Sequence, residues 1–204
     1  EDCALYKIKT QKQLAKILFK DLKVLKPLKD DSHYNTFTLG SREIECPDRQ
    51  LDEVHTRIAS LLSRIQLPDY LHSGRKKHSH ITNAKAHIGD HCVLTADIRK
   101  FYRSTSFDIV FKFFNRVLLC QPDVSLLLTQ LCTYNFHIPT GSRISMPLAF
   151  LANKKMFDEL YKTAQSNRLN FTVFVDDITF SGNNINRKLI HIVNKIVNSH
   201  DHNV

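Results

Sequence analysis

A chain of 204 residues with 42% apolar side chains can bury one good core or two small ones, which excludes a disordered tail and favours one globular unit with lobes. Lys and Arg number 29 against 20 Asp and Glu; the resulting charge of +9 suits a polyanionic partner better than a neutral small molecule, with a merely basic soluble protein as the plain alternative. No run approaches the roughly 18 apolar residues of a membrane span, and no secretory signal opens the chain, so a cytoplasmic protein without membrane partners is expected.

Leu14, Ile17, Leu18, Leu22 and Leu25 recur at helical spacing and predict an opening helix capped by Thr10 and stopped by Pro27. A hairpin follows. Tyr34, Thr36 and Thr38 alternate with Asn35, Phe37 and Leu39, Gly40-Ser41 makes the turn, and Arg42, Glu43 and Ile44 return. A second helix runs from about Asp48, with Leu51, Val54, Ile58, Leu61, Leu62 and Ile65 on one face and Pro68 ending it. Residues 71–90 lack an apolar period and read as a basic loop or short helix, and 92–98 as a short buried strand. Ser106 caps a helix reaching Leu119, residues 123–132 offer another, and a break at 138–141 precedes a helix over about 145–164.

The last third alternates, with Leu169, Phe171, Val173 and Val175 on one face and Asn170, Thr172, Phe174 and Asp176 on the other. Asp176-Asp177 is therefore expected in a hairpin turn, followed by a strand over 178–181 that Gly182 ends. A final helix carries Ile185, Leu189, Ile192, Val193, Ile196 and Val197. No internal repeat or low-complexity tract is present.

This order is an α+β pattern with Asp97 and Asp176 both at strand ends. Neighbouring strands lie about 4.8 Å apart, so such carboxylates can share a divalent cation despite their distance in sequence. Two Mg²⁺ ions held there would activate an attacking 3′-hydroxyl and stabilise a leaving pyrophosphate. The plain alternative is a solvated turn, since turns favour Asp. Against it, Phe174-Val175 closes an apolar strand, where an uncompensated carboxylate is costly.

His72, His78, His80, His87, His91 and Cys92 raise a zinc reading. Their interleaving with Arg75, Lys76, Lys77 and Lys85 suits phosphate contacts or base stacking better. Cys3, Cys46, Cys92, Cys120 and Cys132 form no close pair and read as reduced thiols.

Phe174-Val175-Asp176-Asp177 resembles the Tyr-x-Asp-Asp hairpin of reverse transcriptases, with Phe174 at the tyrosine position. The stretch Thr95-Ala96-Asp97-Ile98-Arg99-Lys100-Phe101-Tyr102 resembles that family's first catalytic motif. Asn83-Ala84-Lys85-Ala86-His87 matches the Asn-Ala-x-x-His element of the bacterial retron-type and defence-associated branch. Arg42-Glu43-Ile44 with Pro47 and Leu51 is similar to its fingers segment, and Pro139-Thr140-Gly141-Ser142 with Ser145 and Leu148-Ala149 to its Pro-Gln-Gly segment. The resemblance covers roughly residues 34–198.

It implies a right-hand polymerase whose palm is a small antiparallel sheet backed by helices. The implied divisions are an N-terminal helical segment at 1–30, fingers at 31–91 and palm at 92–204, with fingers elements interleaved at about 120–145 and the thumb outside this chain. The implied activity is RNA-directed DNA synthesis with Mg²⁺ or Mn²⁺, two per site, in a bacterial retron or phage-defence system. Its partners would be a structured noncoding RNA template, the DNA product, deoxynucleotides and an effector protein.

Implied metal ligands are Asp97, Ile98, Asp176 and Asp177, the three carboxylates being catalytic. Arg42, Tyr102, Thr140 and Gly141 would meet the incoming nucleotide, Tyr102 as the gate against a ribose 2′-hydroxyl and Gly141 by admitting close backbone approach. Arg75, Lys76, Lys77, Asn83 and His87 would bind nucleic acid. Thr140 stands where relatives carry glutamine, and Lys100 where many have an acidic residue or asparagine. Two other functions fit the same residues: template-independent or protein-primed synthesis, and an RNA-binding assembly module with a lapsed site.

Overall fold

The computed structural model describes residues 3–89 and 91–204. In chain order the elements are α1 (Gln11–Ile17), α2 (Leu22–Leu25), β1 (Tyr34–Leu39), β2 (Arg42–Pro47), α3 (Arg49–Leu62), α4 (His80–Lys85), β3 (Cys92–Asp97), α5 (Phe101–Ser104), α6 (Phe107–Lys112), α7 (Pro122–Cys132), α8 (Ser145–Ala152), α9 (Lys154–Ser166), β4 (Asn170–Phe174), β5 (Asp177–Gly182) and α10 (Arg187–Ser199). Helices thus mix with two small antiparallel sheets, as an α+β chain should. No helix among the described residues is long and apolar enough to cross a membrane.

Two compact units result, one from Glu1–Gln66 with Thr105–Ala152, the other from Leu67–Ser104 with Asn153–Val204. These cuts fall elsewhere than the 30/31 and 91/92 divisions read from the sequence. Residues 1 and 2 of the expected N-terminal segment, and Asp90 of the expected basic loop, lie outside the described residues.

In the first unit, the opening apolar period is shared by two helices. Phe19 adopts a left-handed φ of 56° between them. Its exposed ring lies under the Arg57 guanidinium, 4.3 Å from centroid to Cζ, and Arg57 Nε also donates to the Ile17 carbonyl at 3.0 Å. Thr10 caps α1 as expected, accepting from the Gln13 amide. β1 and β2 pair through a two-residue loop in which Leu39 faces Arg42 and Gly40 supplies the left-handed residue. Asp48 caps α3 through the Leu51 amide, and Leu51, Val54, Ile58, Leu61 and Leu62 are buried. Ser106 caps α6, but the helix widens into a π turn over Phe113–Val117 and stops at Leu119, whose φ is 54°.

The second unit is built on a three-stranded antiparallel sheet, ordered β3-β5-β4. α9 lies against β4, and α10 against α9, burying Phe157, Leu160, Phe171, Val173, Ile178, Phe180, Leu189, Val193 and Val197. Two expectations change here. The helix over 145–164 divides at Asn153, whose φ of −102° and ψ of 10° leave the helical ladder; its buried amide instead takes a contact from His202. β3 is an edge strand that stays largely open, with Val93 51% exposed and Cys92 exposed, so it is not the buried strand its composition suggested. Residue 71 bridges Val173 in parallel, the Tyr70 carbonyl accepting from the Val173 amide and the His72 amide donating back to the Val173 carbonyl, so the outer edge of β4 is partly covered.

Candidate active site

The end of the hairpin between β4 and β5 places acid against acid. β4 closes at Phe174, which pairs with Asp177, and Asp177 is also the register partner of Asp97 at the end of β3. Val175 and Asp176 form the two-residue turn between them, and Val175 holds a φ of 60°. A β-branched residue is strained in that region and persists only where its surroundings insist. Here the buried Ser73 hydroxyl accepts the Val175 amide at 3.0 Å, and the Asp176 carbonyl accepts the Ile98 amide at 3.1 Å.

Burial first, and then the neighbouring Asp97 charge, raises the Asp177 carboxyl above the ordinary aspartate range. Tyr102 senses the same corner. Burial and then the Asp176 charge push its hydroxyl up to about 12, so it stays protonated at neutral pH. Among the described residues no group of three or more His, Cys, Asp or Glu side chains is arranged to hold a metal ion. One or two carboxylates completed by substrate phosphates is, however, the donor set Mg²⁺ prefers, and hard oxygens favour Mg²⁺ or Mn²⁺ over zinc. The facing Asp97 and Asp177, with repulsion for a cation to relieve, fit that chemistry.

After Asp97 the chain turns sharply. Ile98 is fully buried, Lys100 takes a φ of 50°, and α5 begins at Phe101. Phe101 points into the core against Phe157, with ring centroids 5.9 Å apart, while the half-buried Tyr102 keeps an accessible side. Asp97, Ile98, Asp176, Asp177 and Tyr102 are therefore gathered in one unit.

Arg42, Thr140 and Gly141 belong to the other unit and sit together within it. Arg42 is exposed at the start of β2. The Thr140 hydroxyl accepts from the Glu45 amide at 3.1 Å and donates to the Glu43 carbonyl at 3.0 Å, while its amide donates to Glu45 Oε2 at 3.0 Å. The Gly141 amide donates to the Glu45 carbonyl, and a Cβ at Gly141 would lie 2.6 Å from Cys46 Sγ and 2.9 Å from that carbonyl. The close approach that Gly141 serves is thus to β2, and the Thr140 side chain is engaged in holding the strand that starts at Arg42.

In the basic segment the expected nucleic-acid contacts divide. Arg75 is tied to the Pro68 and Leu71 carbonyls at 2.7 and 3.3 Å and to Asp69, which makes it a staple of its own loop. Lys76 and Lys77 are exposed. Asn83 lies on α4, whose N-terminus carries a reciprocal cap between Ser79 and Thr82. The His87 ring spans the sheet, Nδ1 meeting Ser181 Oγ at 2.6 Å and Nε2 meeting Thr172 Oγ1 at 2.7 Å. Burial, with His72 and His91 nearby, lowers its pKa and keeps it neutral.

Three supports escaped the sequence reading: Ser73 under the turn, the bridge at Leu71, and a tail in which His202 is buried between Ser104 and Asn153. The one available signal was the histidine-rich run after α10, which has no apolar period.

No family model matches the chain. It is similar to the retron Se72 reverse transcriptase of Salmonella heidelberg, 32% identical over 168 residues, covering 78% of this chain and 44% of that protein. The Escherichia coli retron Ec86 reverse transcriptase is 28% identical over 147 residues, 72% of this chain and 46% of its own length. The retron Ec48 reverse transcriptase, also of Escherichia coli, is 31% identical over 113 residues, 55% of this chain and 28% of that protein. The chain thus spans under half the length of these curated relatives.

Proposed function

We propose that this chain, a relative of the retron-type reverse transcriptases, carries the catalytic part of an RNA-directed DNA polymerase that copies a structured noncoding RNA. The observation that carries the reading is the register pairing of Asp97 with Asp177, beside Asp176 in the strained turn. The unit with the three-stranded sheet serves as palm, and the unit with the β1–β2 hairpin supplies fingers.

Asp97 and Asp177 hold divalent metal with Asp176, and Ile98 can contribute only its backbone carbonyl. When bound, Mg²⁺ or Mn²⁺ would supply Lewis acidity toward the 3′-hydroxyl and the leaving pyrophosphate. Tyr102 stands an apolar wall beside the sugar, where a 2′-hydroxyl meets the ring. Its hydroxyl stays protonated, so no further anion joins the three carboxylates. Arg42 offers a planar fork to the triphosphate from a strand braced by Thr140 and Gly141. Lys76 and Lys77 bind phosphates of the RNA.

Primer extension on an RNA template tests the reading. Asp97→Ala and Asp176→Ala should each lose incorporation by at least about a thousandfold, and the Asp97 change, which removes a repulsion, should not lower thermal stability. Extension within about tenfold of the parent, about 1.4 kcal/mol of barrier, would remove these residues from the metal site. Product sequencing separates templated from untemplated synthesis, and RNA binding without any extension by the parent would indicate a lapsed site.

A further inference from the structure

The turn between β3 and α5 joins Asp97 to Tyr102 and holds a left-handed residue, Lys100, without glycine. Such a turn needs outside support. Chain from beyond α10 provides it at two points, one inside the turn at Arg99 and one at Ser104, the last residue of α5. The Asn203 carbonyl accepts the Arg99 amide at 2.9 Å, and His202 Nδ1 meets Ser104 Oγ at 2.7 Å. His202 Nε2 meets Asn153 Oδ1 at 2.8 Å, and its ring lies 5.7 Å from that of Phe101. With the amide oxygen accepting from Nε2–H, Nδ1 is left as the acceptor for the Ser104 hydroxyl.

His202 is 1% exposed, and its contacts are matched donor to acceptor. An apolar residue would fill the same space but remove both contacts, leaving the Ser104 hydroxyl only the longer local approaches to the Phe101 and Arg99 carbonyls at 3.2 and 3.4 Å, which do not tie α5 to the tail. We propose that His202 is a positioning residue that clamps the turn carrying Asp97 and Tyr102, so that sugar discrimination at Tyr102 depends on a side chain that never touches substrate. This rests on the polymerase reading for its consequence, though not for its geometry.

Two readouts separate those dependencies. Backbone hydrogen exchange over residues 98–104 needs no activity: His202→Leu and Ser104→Ala should each speed exchange there by about tenfold, with exchange over α3 unchanged. His202→Gln, whose amide offers N–H donors at one atom and an acceptor oxygen at the other, should restore slow exchange. In parallel, the ratio of kcat/KM for deoxy- over ribonucleotides should fall about fivefold in His202→Leu and recover in His202→Gln. Unchanged exchange over 98–104 in His202→Leu overturns the clamp whatever Ser104→Ala does, because the Ser104 hydroxyl also lies 3.2 Å from the Phe101 carbonyl within its own helix; acceleration spread evenly over the chain overturns it too. Changed exchange with an unchanged ratio in an active enzyme overturns the link to selectivity. A parent protein that incorporates no nucleotide defeats the polymerase reading alone, because the exchange arm still decides the clamp.

Discussion

Phe101 and Tyr102 are adjacent aromatics that composition alone does not tell apart; the resemblance singles out Tyr102, and the two differ in burial. Phe101 is 3% exposed and packed edge-on against Phe157 and tilted against His202, whereas Tyr102 is half-buried, with a hydroxyl that burial first and then the Asp176 charge keep protonated. Removing the Tyr102 ring should therefore admit ribonucleotides. In Tyr102→Ala, kcat/KM for ribonucleotides should rise by about tenfold or more while that for deoxynucleotides falls much less, since the lost contact is chiefly repulsive toward the wrong sugar. Matched steady-state kinetics on one RNA template measure this. An unchanged ratio would move the gate away from Tyr102. The strand-end positions of Asp97, Asp176 and Asp177 were legible from the short apolar run before Asp97 and the period-two alternation that leads into the turn. His202 was not, because nothing in the run Ser199-His200-Asp201-His202 announces that its fourth residue turns inward.

At the level of elements, caps and periods read well where one face alone is buried. Thr10 and Ser106 cap helices as expected, the second helix begins where expected with Asp48 as its cap, and the Leu51 to Leu62 stripe is core. The period fails where two short helices share one stripe, as across Phe19, or where tertiary contact outbids the helical ladder, as at Asn153. β3 was misread because apolar residues on an edge strand look like those of a buried one until the sheet order is known. The basic loop was legible as basic, though not as to which charges are spent. Arg75 is held by carbonyls and Asp69, while Lys76 and Lys77 face solvent. Replacing Lys76 and Lys77 by Ala should reduce the slope of log K against log salt for RNA by about two, whereas Arg75→Ala should lower thermal stability with little effect on that slope. Filter binding between low and physiological salt reads the first, and thermal melting the second. A slope that follows Arg75 and ignores the two lysines would reverse the assignment.

Across the whole molecule the charge of +9 is joined by 11 histidines, and several of these are interior groups rather than surface charge. His55, fully buried in the first unit, meets Ser142 Oγ at 2.7 Å and the Leu131 carbonyl at 2.6 Å, and desolvation lowers its pKa to about 4. His202 in the second unit is lowered to about 4, again chiefly by desolvation. Both are neutral when folded at pH 5 to 7 but take up a proton on unfolding below about 6.5, the ordinary histidine value. Unfolding therefore gains protons, and stability is lost as pH falls from about 6.5 toward 4. Each histidine should cost its unit on the order of 2 kcal/mol between pH 7 and 5. His72 and His87, also lowered by burial, act in the same direction. Asp177, raised in the folded chain, acts the other way from an exposed position and does not reverse the trend. Urea denaturation at pH 7, 6 and 5 should show midpoints dropping most steeply below pH 6.5. His202→Gln, which keeps a donor and an acceptor but cannot titrate, should flatten that dependence for the unit containing the carboxylates and leave the His55 unit unchanged. Midpoints constant over this range would mean that the two rings reach water in the folded protein and do not form the buried contacts described.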